Sequence, residues 1–209
     1  YNTNFLATQP DKIIATNSLV LGVDADNQPF YITLNFTGSG GWIFQDDFSG
    51  KNVSLNINKG SLNTNNKNFQ LNKFNVSIDA TSLVSINLGT STIRLNGWIG
   101  SWDINASWDA NPNNLNFNAG TSTLIFESPV SSFYSRLDGL QYNQIIFDNS
   151  SMGSYTNDPG IISNVVSAPK TKIKKLIAHT DMKFLYGYSW ETHDNVSIDE
   201  WVLSAGKKY

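Results

Sequence analysis

Apolar and polar residues alternate in short runs along most of this chain, with a period of two residues. Such alternation is typical of β-strands that bury one face, whereas an amphipathic helix places apolar residues three and four positions apart. Gly, Asn, Ser or Pro bound most of the runs, as expected for turns. The pattern therefore predicts an all-β protein. The clearest apolar positions are Ile32, Leu34 and Phe36; Val53, Leu55 and Ile57; Val84, Ile86 and Leu88; Leu115 and Phe117; and Val196 and Ile198.

Two of these runs are copies of each other, 31 positions apart. Residues 84–95 (VSINLGTSTIRL) align with residues 115–126 (LNFNAGTSTLIF), and the segment GTST is identical in both. A weaker copy precedes them at 55–62, and apolar strand ends follow at 145–147 and 176–177. Successive units are spaced about 30 residues apart, within the range of known structural repeats. The markers of this spacing are Ile57, Ile86, Phe117, Phe147 and Ile177.

A fixed period of this size is typical of repeat proteins, in which each unit buries its apolar face by stacking on its neighbours. Units of about 30 residues fit coils of two or three short strands, so we expect a parallel β-solenoid, or β-helix. Asn96 and Gly97 lie between two apolar runs and instead favour an antiparallel hairpin. An antiparallel β-sandwich or jelly roll is therefore the alternative fold, although the internal copy is harder to explain in it.

Asparagine is unusually frequent, at about one residue in eight. Three asparagines follow aligned strands and precede turn glycines, and asparagine tolerates the left-handed backbone that such corners need. Stacked amides also form hydrogen-bonded ladders. We expect a ladder here, with ordinary polar turns as the alternative. The residues are Asn58, Asn87 and Asn118, with the glycines Gly60, Gly89 and Gly120.

Composition and charge limit the classes of protein. Hydrophobic residues make up 40% of the 209 and are sufficient for the core of one all-β domain, residues 1–209, with the clearest repeats at about 50–180. A net charge of −3 argues against nucleic-acid binding. The lack of cysteine excludes disulfides and cysteine chemistry, and no apolar run reaches the roughly 18 residues of a membrane span. Because the chain opens at Tyr1 without a Met, we expect it to be part of a longer chain or assembly.

The order of the repeats resembles a known group of proteins. GWIFQDDFSG, SLNINKGSLNTNNKNFQLNKF, INLGTSTIRLNG, a Trp-Asp segment, LNFNAGTSTLIF and QYNQIIFDNSS are similar to repeats in β-solenoid proteins of phage tail fibres, tail spikes and bacterial surface adhesins. The similarity covers about residues 30–150, and the last forty residues only loosely. It implies an elongated protein for structure and attachment on a virion or cell surface. It supplies no catalytic residues.

The densest aromatic stretch provides the candidate ligand contacts. Trp102 and Trp108 are flanked by Ser, Asp and Asn, so we expect their rings to be more exposed than that of Trp98. Flat rings of this kind stack on sugars and anchor interfaces, although they also fill or cover cores. The candidate contacts are Trp102, Trp108, Asp103, Asp109, Tyr134 and Tyr142.

Paired carboxylates are the candidates for an enzyme, because glycosidases use two carboxyl groups a fixed distance apart. Asp103 and Asp109 are close enough in sequence to converge, but solvation and turn capping explain them better. The adjacent pairs Asp46–Asp47 and Asp199–Glu200 would point to opposite faces of a strand. We predict no catalytic residues and no enzyme.

Metal ligands are sparse. Residues 24–28 (DADNQ) alternate oxygen ligands, but they lack the central Gly and distal Glu of an EF-hand loop. His179 and His193 have no second ligand at metal spacing. We therefore predict no metal and no cofactor.

A lysine cluster follows near the end of the chain. Lys170, Lys172 and Lys174 alternate with Thr171 and Ile173, and Lys175 joins them. Lysines often protect an exposed sheet edge from aggregation. We favour that interpretation over contact with an anionic glycan or a partner subunit.

These features predict a non-enzymatic virion or cell-surface protein that presents a receptor-contacting or glycan-contacting face. The expected partners are further copies of itself, other virion or surface subunits and a cell-surface glycan, without nucleic acid and without a membrane span. A carbohydrate-binding β-sandwich module and a polysaccharide lyase or hydrolase on a β-helix are the alternatives.

Overall fold

Every element in the described part of the chain is a β-strand. The computed structural model describes residues 1–24, 28–76, 82–96, 106–110, 114–127, 133–136, 140–148, 165–166, 171–178 and 196–203. Seventeen strands lie in these ranges and form two sheets. The prediction of an all-β protein is confirmed.

The larger sheet has twelve strands. Nine of them pair in a continuous row: β1 (Asn2–Phe5), β3 (Ile32–Phe36), β5 (Phe48–Ile57), β7 (Phe69–Val76), β9 (Thr92–Asn96), β12 (Thr123–Glu127), β14 (Gln141–Asp148), β16 (Thr171–Ala178) and β17 (Val196–Leu203). Three more form a branch that pairs with β7: β10 (Ala106–Ala110), β13 (Phe133–Arg136) and β15 (Val165–Val166). The smaller sheet contains β2 (Lys12–Ile14), β4 (Gly41–Phe44), β6 (Gly60–Asn63), β8 (Val84–Asn87) and β11 (Leu115–Asn118).

All pairings between these seventeen strands are parallel. From β1 to β9 the chain alternates between the two sheets at every strand. Sandwiches and jelly rolls are built from antiparallel pairs, so that alternative is wrong for the described strands. Asn96 ends β9, which pairs in parallel with β7 and β12. Two sheets of parallel strands are compatible with a β-solenoid.

The core lies between the two sheets and consists of the apolar positions of the alternating runs. In β8, Val84 and Ile86 are buried, while Ser85 and Asn87 between and after them are partly exposed. Aromatic rings connect strands within and between the sheets: Phe5 in β1 stacks on Phe36 in β3 with ring centroids 4.6 Å apart, and Phe44 in β4 meets Phe69 in β7 edge-on at 4.7 Å. Aromatic pairs at such separations stabilise a core by about 0.5–1.5 kcal/mol beyond their buried area. The period-two pattern therefore places the apolar face inward.

The internal copy is confirmed as a structural repeat. Val84 pairs with Leu115 in the smaller sheet, and Thr92 pairs with Thr123 in the larger sheet, so both ends of the copy are in register. The identical GTST segments form equivalent turns, in which the N–H of Ser91 donates to Leu88 and that of Ser122 donates to Ala119. Because GTST turns stack on each other, the sequence identity reflects a shared corner.

The expected constant period of about 30 residues is wrong. Asn4 and Asn35, which pair in register, are 31 residues apart, whereas Asn35 and Asn56 are 21 apart and Asn56 and Asn75 are 19 apart. The marker Ile57 lies in the larger sheet and Ile86 in the smaller one, so their spacing does not measure a repeat. The connections between paired strands differ in length, and a single spacing therefore does not describe the chain.

Two long strands change their pairing along their length. The first part of β5 pairs Phe48 with Phe69, and its second part pairs Leu55 with Phe74 after a shift of register between Gly50 and Ser54. In β7 the first part pairs with β9, and the second part pairs with β10. Each of these strands therefore contributes to two adjacent columns of parallel pairs.

Candidate functional site

A row of asparagines crosses four strands of the larger sheet. Asn4, Asn35, Asn56 and Asn75 occupy paired positions in β1, β3, β5 and β7. The amide of Asn35 donates to the Oδ1 of Asn4 at 3.1 Å, that of Asn56 to Asn35 at 2.9 Å, and that of Asn75 to Asn56 at 3.0 Å. The row is a hydrogen-bonded ladder that runs across the strands.

The alternation of the strands explains where this ladder lies. Asn35 stands between Leu34 and Phe36, and Asn56 stands between Leu55 and Ile57, all four of which are buried. Successive side chains of a strand point to opposite faces, so the asparagines face away from the core. We call the residues Asn4, Asn35, Asn56 and Asn75 the outer ladder. Its members were missed at the sequence level, because their spacing in the chain is not constant.

A second set of asparagines forms the corners after the strands of the smaller sheet. Asn63, Asn87 and Asn118 are paired in register, and the amide of Asn118 donates to the Oδ1 of Asn87 at 3.2 Å. Each Oδ1 also accepts the backbone N–H two residues later, at 2.8 Å for Asn63, 3.2 Å for Asn87 and 3.0 Å for Asn118. This is the Asx-turn, in which the side chain imitates a backbone turn. We call these three residues the corner asparagines.

The residue that donates to each corner asparagine has a left-handed backbone. Asn65, Gly89 and Gly120 have φ values of 53°, 54° and 56°. A Cβ atom added at Gly120 would lie 2.3 Å from the backbone oxygen of Gly89, so the stacked corner leaves no space for a side chain. Gly89 and Gly120 therefore satisfy both the backbone angle and the close approach of neighbouring turns.

Asn58 and Gly60 do not belong to this corner, and that part of the expected ladder is wrong. Asn58 follows β5 of the larger sheet, and its backbone N–H donates to Phe36. The residue opposite Asn87 is Asn63. Gly60 is the first residue of β6 and has a φ of 82°, whereas the corner asparagine Asn63 is the last residue of that strand. The sequence alignment was displaced here because the segment of chain between Asn63 and Asn87 is shorter than the segment between Asn87 and Asn118.

Two carboxylates, those of Asp46 and Asp47, accept backbone hydrogen bonds next to the first strands of the smaller sheet. Asp46 accepts the backbone N–H and the hydroxyl of Thr16, at 2.9 and 3.1 Å, and also the backbone N–H of Asn17. The hydrogen bond from the Thr16 backbone is the largest cause that lowers the pKa of Asp46 below its ordinary value of 3.8. Asp47 accepts the backbone N–H of Asn68 at 2.8 Å. Each carboxylate therefore bonds backbone of a neighbouring level.

The predicted ligand contacts lie mostly beyond the described side chains. Trp102 and Asp103 lie outside the described residues. Trp108 and Asp109 belong to β10, opposite Phe74 and Asn75, and Tyr134 belongs to β13, opposite Ser107. The backbone register therefore places Trp108 and Asp109 in a strand of the sheet.

Tyr142 is not a surface contact, and its place among the ligand candidates is wrong. Its side chain is only 4% exposed, and its ring lies 5.4 Å from that of Phe117. The ring therefore fills the core between the sheets. The sequence did not separate this tyrosine from exposed rings, because both of its neighbours in the chain, Gln141 and Asn143, are polar.

The lysine cluster does not protect a sheet edge. Lys172, Lys174 and Lys175 lie in β16, which pairs with β14 on one side and β17 on the other. Lys174 is exposed, and Lys175 lies opposite Glu200. The edge interpretation is therefore wrong, while Lys170 lies outside the described residues.

The remaining candidates carry little chemistry. In the segment 24–28, Asp24 Oδ1 accepts the backbone N–H of Gln28 at 2.7 Å, and residues 25–27 lie outside the described part, as do His179 and His193. Among the described residues, no group of three or more His, Asp or Glu side chains is arranged to hold a metal ion. No helix in the described ranges is long and apolar enough to cross a membrane.

Comparison with known proteins adds no evidence to this geometry. No protein-family model, curated protein or solved structure matches the chain. The function is therefore inferred from the contacts described above and from the resemblance of the repeats.

Proposed function

We propose that this chain is a β-solenoid that serves as a structural and attachment component of a phage virion or a bacterial surface. The observation that carries the proposal is the continuous row of parallel strands from β1 to β17, together with the hydrogen-bonded outer ladder. Stacked units that bond only their neighbours add length in one direction and give a stiff rod. Stiffness and reach are what an attachment shaft requires.

The proposed coil has three sides. One coil comprises β3, β4 and the first part of β5, and the next comprises the second part of β5, β6 and the first part of β7. Ile32 at the start of the first coil pairs with Val53 at the start of the second, so the two coils stack directly. Coils longer than this carry insertions between their strands, and an insertion leaves the stacking of the strands unchanged.

The attachment contacts are proposed to lie in such an insertion. Lys73 in β7 pairs with Ser107 in β10, although β8 and β9 both lie between them in the chain, so this coil is much longer than the one before it. The connection between β9 and β10 contains Trp102 and Asp103. Recognition residues are commonly found in loops that a rigid scaffold positions. The resemblance to tail-fibre and adhesin repeats supports the same assignment.

The enzyme alternative has less support. Asp46 and Asp47 are engaged by backbone donors of Thr16 and Asn68, which is a structural use of both carboxylates. A glycosidase needs one carboxyl group that donates a proton and a second that acts on the opposite side of the sugar. A carbohydrate-binding module of the sandwich type is also disfavoured, because its antiparallel pairing is not the pairing of the described strands. Glycan contact by the solenoid itself stays within the proposal.

Binding of the labelled full chain to bacterial cells and to their purified surface polysaccharides tests the attachment role. We expect saturable binding, which Trp102→Ala weakens at least about tenfold, since aromatic anchors dominate interfaces. Tyr1→Ala is the matched control, because Tyr1 is 87% exposed and lies at the first strand. Absence of binding to every surface tested contradicts the proposal, and release of cleaved polysaccharide supports the enzyme alternative instead.

Self-association or assembly with other virion or surface subunits is the proposed state of the protein. Native mass measurement of the full chain across micromolar concentrations tests it. We expect oligomers that grow with concentration. A stable monomer that also fails to bind other subunits from the same source contradicts this part of the proposal.

A further inference from the structure

A groove lies where the chain enters the smaller sheet, whereas the corner asparagines lie where the chain leaves it. Its volume is about 410 Å³, which falls within the range of about 300–1,000 Å³ typical of small-ligand sites. The side chains that line it and carry the argument are Thr8, Ser39, Lys59, Ser61, Leu83 and Ser85.

The groove runs along the stack rather than along a strand. Thr8 precedes β2, Ser39 precedes β4, Lys59 precedes β6 and Leu83 precedes β8, so the lining comes from four successive levels of the smaller sheet. Neighbouring strands lie about 4.8 Å apart, which gives the groove a length of about 14 Å. This shape suits a linear chain more than a single compact molecule.

The backbone in this corner already has hydrogen-bond partners. The N–H of Gly40 donates to Ala7 at 2.8 Å, that of Ser61 to Gly40 at 2.9 Å, and that of Gly60 to Leu83 at 3.3 Å. Addition of a peptide strand depends on unpaired main-chain groups at a sheet edge. An occupant of this groove must therefore be recognised by side chains.

The side chains offered are hydroxyls, one cation and one apolar group. Thr8, Ser39, Ser61 and Ser85 make no side-chain hydrogen bond with any described residue. Lys59 is exposed, and no ion pair joins it to a carboxylate in the described part of the chain.

The apolar group is Leu83, whose side chain is 68% exposed at the rim. A single lysine is too little charge for nucleic acid, which is held by many phosphate contacts. Rows of hydroxyls match a ligand that is itself rich in hydroxyls, and an ammonium matches a carboxylate.

We infer that this groove binds an acidic oligosaccharide. Lys59 pairs with a carboxylate of the sugar chain, the hydroxyls of Ser39, Ser61 and Ser85 exchange hydrogen bonds with sugar hydroxyls, and Leu83 contacts the C–H face of a ring. None of the residues that line the groove belongs to the connection that contains Trp102, so this site is proposed independently of the attachment contacts.

Titration of the isotopically labelled full chain with trigalacturonate, followed by amide NMR, tests this site. We expect shifts at Ser39, Gly40, Lys59 and Ser61, and none at the Gly89 and Gly120 turns. Lys59→Ala should weaken binding about tenfold, through loss of a charge-assisted hydrogen bond, and Lys59→Arg should retain most of it. Lys51→Ala is the matched control, because Lys51 is an exposed lysine in β5 away from the groove.

Three results overturn the inference. The first is an absence of shifts in the groove at the highest soluble concentration of trigalacturonate. The second is equal binding of fully methyl-esterified trigalacturonate, its neutral counterpart, and the third is displacement of trigalacturonate by an equal concentration of inorganic phosphate. If Trp102→Ala abolishes binding to cells while the groove shifts persist, the attachment contacts and the groove are two separate sites. If Trp102→Ala also removes the groove shifts, the groove is not an independent site.

Discussion

Individual asparagines have two different structural roles in this chain, and the register of the strands determines which role each one has. In the outer ladder, Asn56 donates to Asn35 and accepts from Asn75, so its amide bonds across strands. At the corners, Asn87 accepts from the N–H of Gly89 within its own turn and from the amide of Asn118 across turns. The high asparagine content is therefore a set of position-specific contacts, and it also reflects the left-handed backbone of Asn65 and Asn66.

Removal of the central amide of the outer ladder tests the first role. Asn56→Ala deletes two hydrogen bonds on a partly exposed surface, and we expect it to lower the free energy of unfolding by about 1–2 kcal/mol. Urea unfolding measures the change. Ser54→Ala, on the same strand and the same face, is the control and should change stability by less than about 0.5 kcal/mol. Equal effects of the two substitutions would show that the ladder contributes nothing.

Asp46 makes the stability of the folded state depend on pH in the acidic range. The hydrogen bonds from Thr16 and Asn17 hold the pKa of Asp46 in the folded state below its ordinary value of 3.8. The folded state therefore binds this proton less readily than the unfolded chain, and the carboxylate stabilises the fold above pH 3.8. This stabilisation is lost as the pH falls from 3.8 through the lower folded pKa.

Asp46→Asn should therefore reduce stability at neutral pH and flatten its decline in acid. The free energy of unfolding, measured at neutral pH and at about pH 3, checks both parts of this expectation. Asp11→Asn, which alters an exposed carboxylate elsewhere in the chain, is the control. A variant that loses stability in acid as steeply as the parent would show that Asp46 is not responsible.

At the scale of elements, the sequence predicts strands well and their partners only where turns repeat. Val84 to Leu95 and Leu115 to Phe126 were aligned correctly, because GTST fixes the same corner in both. The corner at Asn65 was missed, since a pair of asparagines replaces the glycine there. The change of register in β5 between Gly50 and Ser54 was also missed, although it coincides with a change of phase in the buried positions, from Phe48 and Gly50 to Val53 and Leu55.

The candidate site was less predictable than the strands. Burial of Tyr142 against Phe117 depends on which strands are neighbours, and the local sequence around Tyr142 does not contain that information. The groove near Lys59 has no signal in the local sequence for the same reason, because the residues that line it come from four separate levels of the smaller sheet. Contacts between distant segments follow from register, and register follows from the lengths of the connections.

The stacked turns should be sensitive to a single methyl group. Gly120→Ala places a side chain on a left-handed backbone and against the backbone oxygen of Gly89, 2.3 Å away, so we expect a loss of at least about 2 kcal/mol. Thr121→Ala, at the exposed next position of the same turn, should cost less than about 0.5 kcal/mol. Thermal or urea unfolding separates the two. A neutral Gly120→Ala would mean that the two GTST turns are not stacked.

For the whole molecule, parallel register between strands joined by connections of unequal length is the central feature. It explains how one chain combines a 31-residue repeat with a 21-residue spacing, and it leaves long connections free to carry contacts. Parallel strands stacked in this way support the attachment role proposed above. In the proposed shaft, rigidity would come from the aromatic core and the outer ladder together, since both extend across several levels.

Disulfide formation between introduced cysteines is the most direct test of this register, because the chain has no cysteine of its own. Thr33 and Ser54 lie opposite each other in β3 and β5, so the double variant Thr33→Cys with Ser54→Cys should close a disulfide, which requires Cα atoms about 4.4–6.8 Å apart. The pair Thr33→Cys with Asn63→Cys, which a constant period of about 30 residues would bring together, should stay reduced. A disulfide in the second pair and none in the first would contradict the account.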